Sequence, residues 1–210
     1  MENKTEDLLQ YEKELYKNKI NLIAGVDEVG RGPLYGPVVA AAVILPKNYQ
    51  LEGLTDSKKL SEKKRNKFYE ILKNEAVSIG VGYVTPERID EINIYNATKE
   101  AMIEAINNLS PQPEHILIDA MPLELDIPTT SIIKGDSKSL SIAAASVIAK
   151  VTRDQLMYEI DIKHPEYHFK DHKGYPTKAH LEALETYGLF EGYRKTYGPV
   201  KRILEKEGDK

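Results

Sequence analysis

The 210-residue chain contains no cysteine, which excludes disulfides and thiolate-held zinc. It also lacks any long hydrophobic run. The longest, from Pro37 to Pro46, is too short to span a bilayer and reads as a strand. The opening residues MENKTEDLLQ are charged and carry no apolar core of the kind a signal peptide needs. A cytoplasmic protein with no membrane association is therefore expected, and a reducing compartment suits a cysteine-free chain. Internal repeats, low-complexity tracts and Pro/Gly-rich linkers are absent too, so the chain reads as one domain.

Excess positive charge is missing as well. Lysine and arginine total 29 against 33 acidic residues, a net charge of −4. Nonspecific phosphate binders are usually basic, so the balance counts mildly against nucleic acid. The local field matters more than the total, however. Basic residues cluster at Lys58, Lys59, Lys63, Lys64, Arg65 and Lys67, and acids gathered around cations would lower the total without repelling a polyanion. Charge alone decides nothing.

What is present is a folded-protein composition, 41% hydrophobic and 30% charged. Apolar positions at Leu8, Leu9, Leu15, Tyr16 and Ile20 predict an amphipathic lead-in helix over Thr5 to Ile20. Strands are expected at Leu22–Asp27, Pro37–Leu45, Val77–Val84, His115–Asp119 and Thr130–Ile133. Ser61 reads as the N-cap of a helix through Lys73, and Thr85-Pro86 as a helix start. Further helices are expected from Ala97 to Leu109 and from Ser139 to Ile160. The second carries a small-residue stretch, Ala143-Ala144-Ala145-Ser146, suited to close packing on a sheet. His164 to Pro176 reads as a loop, followed by two or three short helices. This order implies an α/β fold with a mixed sheet.

Four acids stand in unusual places. Asp27 closes the first expected strand and Glu28 follows it; Asp119 closes another; Asp136 sits after a third, just before the long helix. Ligands of open α/β sheets gather at the carboxyl ends of strands. Successive strand residues point to opposite faces, so Asp27 and Glu28 can share a site only where the strand ends, which the glycines from Gly30 allow. Any one of these acids alone reads better as a turn former or surface group. Three of them ending strands in apolar surroundings is less ordinary. Converging carboxylates repel unless cations neutralise them, and hard oxygen donors suit magnesium or manganese.

The stretch Gly25-Val-Asp-Glu-Val-Gly-Arg-Gly-Pro-Leu-Tyr-Gly-Pro-Val-Val-Ala-Ala-Ala42 lies around the first two of these acids. It is followed by Asp56-Ser-Lys-Lys-Leu-Ser61, by Lys134-Gly-Asp-Ser137 with Ser141-Ile-Ala-Ala-Ala-Ser-Val-Ile-Ala-Lys-Val-Thr-Arg-Asp154, and by His172-Lys-Gly-Tyr-Pro-Thr177. In this order the blocks resemble the ribonuclease HII family, over about Ile23 to Pro199. The resemblance implies a ribonuclease H-like α/β fold with a mixed central sheet flanked by helices and a small helical C-terminal part. Its boundaries would be a lead-in helix at 1–20, the catalytic domain at 21–162 and the helical part of the same domain at 163–210.

The implied activity is endonucleolytic hydrolysis 5′ of ribonucleotides, in RNA–DNA hybrids and in DNA duplexes with embedded ribonucleotides, leaving 5′-phosphate and 3′-hydroxyl ends. Asp27, Glu28, Asp119 and Asp136 would be the catalytic acids and the ligands of two divalent cations, Mg2+ or Mn2+, which can clamp both sides of an in-line displacement. The Gly30-Arg31-Gly32 turn would sense the 2′-hydroxyl that separates RNA from DNA. Tyr175 would pack on the sugar of the adjoining deoxynucleotide, and Ser57, Lys58 and Lys59 would touch phosphates. Roles in ribonucleotide excision, replication and repair, and a monomeric state, are the matching family expectations.

Blander readings stand beside these. The glycines could simply make a strained turn, and no Gly-Lys-Ser/Thr ending marks a P-loop. Lys63, Lys64 and Lys67 read as a solvated helix face, and Tyr175 could be a core-edge residue. Asp154, a fifth acid, reads better as a helix-surface partner of a basic neighbour. His164, His168, His172 and His180 suggest a metal cluster, but Pro165, Gly174 and Pro176 break the segment and no His-Glu-x-x-His occurs. Surface or phosphate-contacting histidines are expected. A noncatalytic nucleic-acid-binding module is the competing class, and it predicts a broken acid set. The sister family ribonuclease HIII shares the acids, but it lacks the arginine of Gly-Arg-Gly and carries an extra N-terminal domain; only about twenty residues precede the first expected strand here.

Overall fold

The computed structural model describes residues 8–208. The chain forms α1 (Gln10–Lys17), β1 (Ile23–Val29), β2 (Val38–Ile44), α2 (Glu62–Glu75), β3 (Ser78–Val84), α3 (Pro86–Asn107), β4 (His115–Asp119), β5 (Thr129–Ile132) and α4 (Leu140–Lys163). Three shorter helices follow, α5 (Phe169–His172), α6 (Lys178–Tyr187) and α7 (Gly198–Gly208). The strands make one mixed sheet in the order β3-β2-β1-β4-β5. β1, β2 and β3 form an antiparallel meander, whereas β4 runs parallel to β1 and β5 parallel to β4.

Helices cover both faces, which explains why β2 is an unbroken apolar run. All seven of its residues, Val-Val-Ala-Ala-Ala-Val-Ile, are buried. Alternation along the strand divides them. Ala40 and Ala42 join Val26, Ile116 and Ile118 in the core under Ala97, Ala101 and Met102 of α3. Ala41 and Val43 pack on the other side with Ala143, Ala144 and Val147 of α4. Each large aliphatic residue so buried contributes about 1.5–3 kcal/mol. The alanines contribute less area but let the helices lie close.

The caps expected at Ser61 and Thr85 are in place, and Ser139, read as the first residue of its helix, is the cap of α4. Ser61 Oγ accepts from Lys64 N at 3.4 Å, Thr85 Oγ1 from Arg88 N at 3.3 Å and Ser139 Oγ from Ile142 N at 3.2 Å. Several boundaries differ from expectation. The lead-in helix spans only Gln10–Lys17, and residues 5–7 of the expected segment lie outside the described residues. β1 runs on to Val29 rather than closing at Asp27. α3 begins at Pro86, well before Ala97, and is broken at Asn93 (φ 65°, ψ 164°). There Asn93 Oδ1 accepts from Tyr95 N and Asn96 N and recaps the second half. The stretch after α4 is not an open loop. It holds a 3-10 turn at Pro165–Tyr167 and the single-turn α5.

An aromatic core around Tyr35, Tyr167, Phe169 and Tyr193, with Leu34, Met157 and Leu184, ties α5, α6 and α7 to α4 and to the segment between β1 and β2. At the other end, α1 contributes Glu12, fully buried, whose Oε1 accepts from Ser139 Oγ at 2.7 Å and Ser141 N at 3.0 Å at the N-terminus of α4. Among the described residues no helix is long and apolar enough to cross a membrane.

Candidate active site

The register between β1 and β4 pairs Val26 with Ile118, so Asp27 and Asp119 stand side by side where the two strands leave their ladder. Both follow the period-two alternation onto the α4 face, where Gly25 meets Ser141 and Leu117 meets Ile142. Asp136 reaches the same place from the 3-10 turn Gly135–Ser137, just ahead of α4, where the positive end of the helix dipole favours a carboxylate. Carboxylate oxygens of Asp27, Asp119 and Asp136 lie within 4.8 Å of one another. Gly135 N donates to Asp119 Oδ1 at 2.6 Å and holds that carboxylate in place.

Glu28 is not one of the three. Its side chain leaves β1 on the opposite face, 15% exposed, with Arg31 Nη1 3.5 Å from Oε1. It is nevertheless close in electrostatic terms. Burial, then Glu28 and Asp119, push the Asp27 carboxyl well above the ordinary range, against the Ser146 hydroxyl and the hydrogen bond from the Glu28 N–H. Glu28 itself is raised by burial and by Asp119, with Arg31 and Lys58 opposing. Asp136 is raised by burial, by Asp56 and by Asp119. Burial works to lower the Lys58 ammonium, but Asp27, Asp56, Asp136 and Glu28 outweigh it and hold the group above its usual value. Such crowding of hard oxygens, with a single lysine nearby, is the donor chemistry that magnesium or manganese satisfies.

Two contributors escaped sequence reading. Asp56 stands close enough to Asp136 to raise its carboxyl and accepts from Lys58 N at 2.9 Å; its signal was its place at the head of the Asp56–Ser61 block. Ser146, within the stretch read as packing, lies beside Asp27, where its hydroxyl opposes the upward shift of that carboxyl, and sits 2.8 Å from Ser57 Oγ. Ser57 is therefore turned inward, 3% exposed, and its hydroxyl is occupied inside the protein rather than offered to a phosphate.

Beside the acids lies an open cleft of ≈ 430 Å³ lined by Glu28, Val29, Gly30, Arg31, Gly32, Lys58, Ile94 and Tyr175. It unites five of the expected substrate contacts, Gly30, Arg31, Gly32, Lys58 and Tyr175; Lys59 is exposed outside it. Larger depressions beside Leu8 to Lys13 and along Leu123–Thr129 lie away from the three clustered acids.

The shape of the cleft floor comes from two fully buried arginines, which sequence reading did not single out. Arg194 donates from Nη2 to Gly30 O at 2.6 Å, from Nη1 to Arg31 O at 3.0 Å and from Nε to Gly36 O at 3.0 Å. Arg153 donates to Pro37 O at 3.2 Å, Tyr35 O at 3.0 Å and Lys173 O at 2.9 Å. With the carbonyls of Gly30 and Arg31 drawn inward, the trans peptides turn the N–H groups of Arg31 and Gly32 the other way. Gly30, at φ +93°, could hold no Cβ there, since one would fall 2.3 Å from Arg153 Nε. Burial and the neighbouring Arg194 pull Arg153 down to about 10, which still leaves it charged at neutral pH. Arg194→Met should cost about 2–3 kcal/mol, because the buried carbonyls of Gly30 and Gly36 lose their donor, while Arg31 O keeps Tyr197 Oη at 2.6 Å. A urea melt reads this directly; an unchanged midpoint would mean that other groups satisfy them.

The histidines do not form the expected surface set. His180 is fully buried and His172 nearly so, while His168 is exposed and His164 stacks on Phe190 at 4.0 Å. They pack because aromatic neighbours surround them, which spacing along the chain cannot show. Asp154 does pair with a basic neighbour, Lys150 Nζ at 2.5 Å, but it is buried, 5% exposed, rather than on the helix surface.

A model of the family described as ribonuclease HII matches residues 24–196. A ribonuclease HII of Bacillus cytotoxicus is 58% identical over 96% of this chain and 78% of its own length. The crystal structure of ribonuclease H2 from Pyrococcus horikoshii superimposes with a TM-score of 0.76 at 28% identity, covering 90% of this chain and 99% of the other. Bst-RNase HIII, crystallised with Mn2+, shares the fold at TM-score 0.67 and 17% identity, covering 90% of this chain and 71% of its own.

Proposed function

Because this chain belongs to the ribonuclease HII family and is a hydrolytic ribonuclease, with endonuclease action on RNA–DNA duplexes expected of it, we propose that it cuts on the 5′ side of ribonucleotides. The substrates would be RNA–DNA hybrids and DNA duplexes with embedded ribonucleotides, and the ends left would be 5′-phosphate and 3′-hydroxyl. The observation that carries this reading is the convergence of Asp27, Asp119 and Asp136 within 4.8 Å, beside a cleft floored by Gly30–Gly32.

Asp27, Asp119 and Asp136, with Glu28 at the edge, would hold two divalent cations, Mg2+ or Mn2+. Bound there, the cations would activate water and stabilise the leaving oxygen. The remaining work falls to the chain. The Gly135 N–H holds Asp119 and the Glu28 N–H, at 2.8 Å, holds Asp27 Oδ1. Lys58 adds a positive charge at the cleft for a phosphate. The outward N–H groups of Arg31 and Gly32 approach the ribose closely enough to test for a 2′-hydroxyl. Tyr175, 40% exposed, offers its ring to the next sugar. Residues 21–162 would form the catalytic domain and 163–210 its helical part, bearing Tyr175. A cytoplasmic monomer serving ribonucleotide excision, replication and repair completes the reading.

The test is a DNA duplex with one embedded ribonucleotide, incubated with Mg2+ or Mn2+ and with a chelator as control. A cation-dependent nick 5′ of the ribonucleotide is expected. Cutting confined to longer RNA–DNA hybrids would remove the roles given to Tyr175 and Gly30–Gly32. Binding to both without cutting either would replace the nuclease by a nucleic-acid-binding module.

A further inference from the structure

Tyr175 stands on a turn whose backbone is fastened by two buried imidazoles. His172 and His180 stack with centroids 4.2 Å apart and planes 10° off parallel. Phe169 closes edge-on against both, at 5.5 and 5.4 Å. Every ring nitrogen has a partner, and the partners settle the tautomers. His180 Nδ1 lies 2.9 Å from Tyr175 O, and a carbonyl only accepts, so Nδ1 carries the hydrogen. Nε2 is then bare and accepts from Tyr193 Oη at 2.9 Å. His172 Nε2 donates to Tyr167 O at 2.7 Å, which leaves Nδ1 to accept from Gly174 N at 3.1 Å.

Two of these four bonds end on the backbone of the Gly174-Tyr175 pair, at Gly174 N and at Tyr175 O. The same turn is tied to the cleft floor by Leu34 N, which donates to Gly174 O at 2.8 Å, and by Arg153, which donates to Lys173 O. The Tyr175 ring consequently lies against Gly32, where an added Cβ would come 3.3 Å from Cε1. We propose that His172 and His180 are positioning residues that hold the Tyr175 ring at a set height beside the Gly30–Gly32 turn, and so contribute to junction selectivity. This rests on the role proposed above for Tyr175. A core pair with no such role would support the fold equally on every substrate; a positioning pair must act unequally.

The experiment compares kcat/KM on a duplex with one embedded ribonucleotide against kcat/KM on a continuous RNA–DNA hybrid. His180→Phe keeps an aromatic ring in the stack and deletes the Nδ1–H donor. The ratio of the two constants should fall by about tenfold or more, in line with the sensitivity of rate to misplacements near 1 Å. His180→Asn, whose amide N–H occupies nearly the position of Nδ1–H, should recover most of the ratio. Equal losses on both substrates, or no loss of the ratio, would overturn the proposal. Tyr175→Ala separates the two readings: if it leaves the ratio at the wild-type value, the role of Tyr175 fails first. If it abolishes the preference while His180→Phe does not, only the positioning role fails. Should His180→Phe lose its cooperative melt, His172→Phe, which deletes the acceptor for Gly174 N, takes its place: a fall in the same ratio supports the positioning role, and an unchanged ratio overturns it.

Discussion

Asp119→Asn should lower turnover by more than about 100-fold, beyond the 10–100-fold range typical of changes behind a metal's direct ligands, while substrate binding persists and the metal-free protein becomes more stable. The three effects share one cause. Asp119 is half-buried beside Asp27 and Asp136, and its charge helps to raise both of their carboxyls. In asparagine the side-chain oxygen can still accept from Gly135 N, so the local geometry survives. What goes is one negative charge from a cluster that cations must otherwise offset. Removing it should stabilise the metal-free fold by ~1 kcal/mol, or about 2–4 °C for a chain of this size. Turnover on an RNA–DNA hybrid and thermal melts in chelator check this together, and added Mg2+ or Mn2+ should raise the wild-type melt more than the variant's. Activity near wild type would take Asp119 out of the ligand set. A lower melting temperature in chelator would make it a structural acid.

Gly25→Ala should be among the most damaging small substitutions in the core. An added Cβ would lie 2.0 Å from Ser141 C, 2.2 Å from Ser141 O and 2.3 Å from Ile142 N. These are main-chain atoms at the start of α4, so no rotamer change relieves the clash. α4 would have to move bodily away from β1. It carries the Ser139 cap, the Ser146 hydroxyl that meets Ser57 and the Arg153 bonds beneath the cleft, so one displacement disturbs all three. Overpacking commonly costs about 1–3 kcal/mol, and a backbone clash on this scale should exceed about 3 kcal/mol, lowering the melting temperature by about 6–12 °C. Equilibrium urea unfolding tests it. A midpoint matching wild type would show that β1 and α4 have room to part.

Local signals carried much of the architecture. Ser61 and Thr85 cap the helices they were expected to cap, His115–Asp119 is a strand with the expected ends, and the apolar run around Val38–Ile44 is a central buried strand. These follow from periodicity and hydrogen-bonding chemistry within a few residues. Differences arose where a local pattern met a distant partner or a second cap. The break at Asn93 is recapped by its own side chain, so two helices merge where only the second was foreseen at length. His172 and His180 looked like exposed histidines along the chain, yet Phe169 and Tyr193 enclose them.

The sequence by itself determined the fold class, the family and the four acids worth watching, because each depends on residue type and order. Only the tertiary structure decided that Asp27, Asp119 and Asp136 meet within 4.8 Å while Glu28 leaves on the other face, since strand alternation and the β1–β4 register place them. It also turned Ser57 inward against Ser146 and brought Asp56 to Asp136. Arg153 and Arg194 likewise meet the carbonyls of Gly30 to Pro37 only after α4 and the C-terminal segment have packed. A side chain's partner across more than a hundred residues is a property of packing, and no local pattern encodes it.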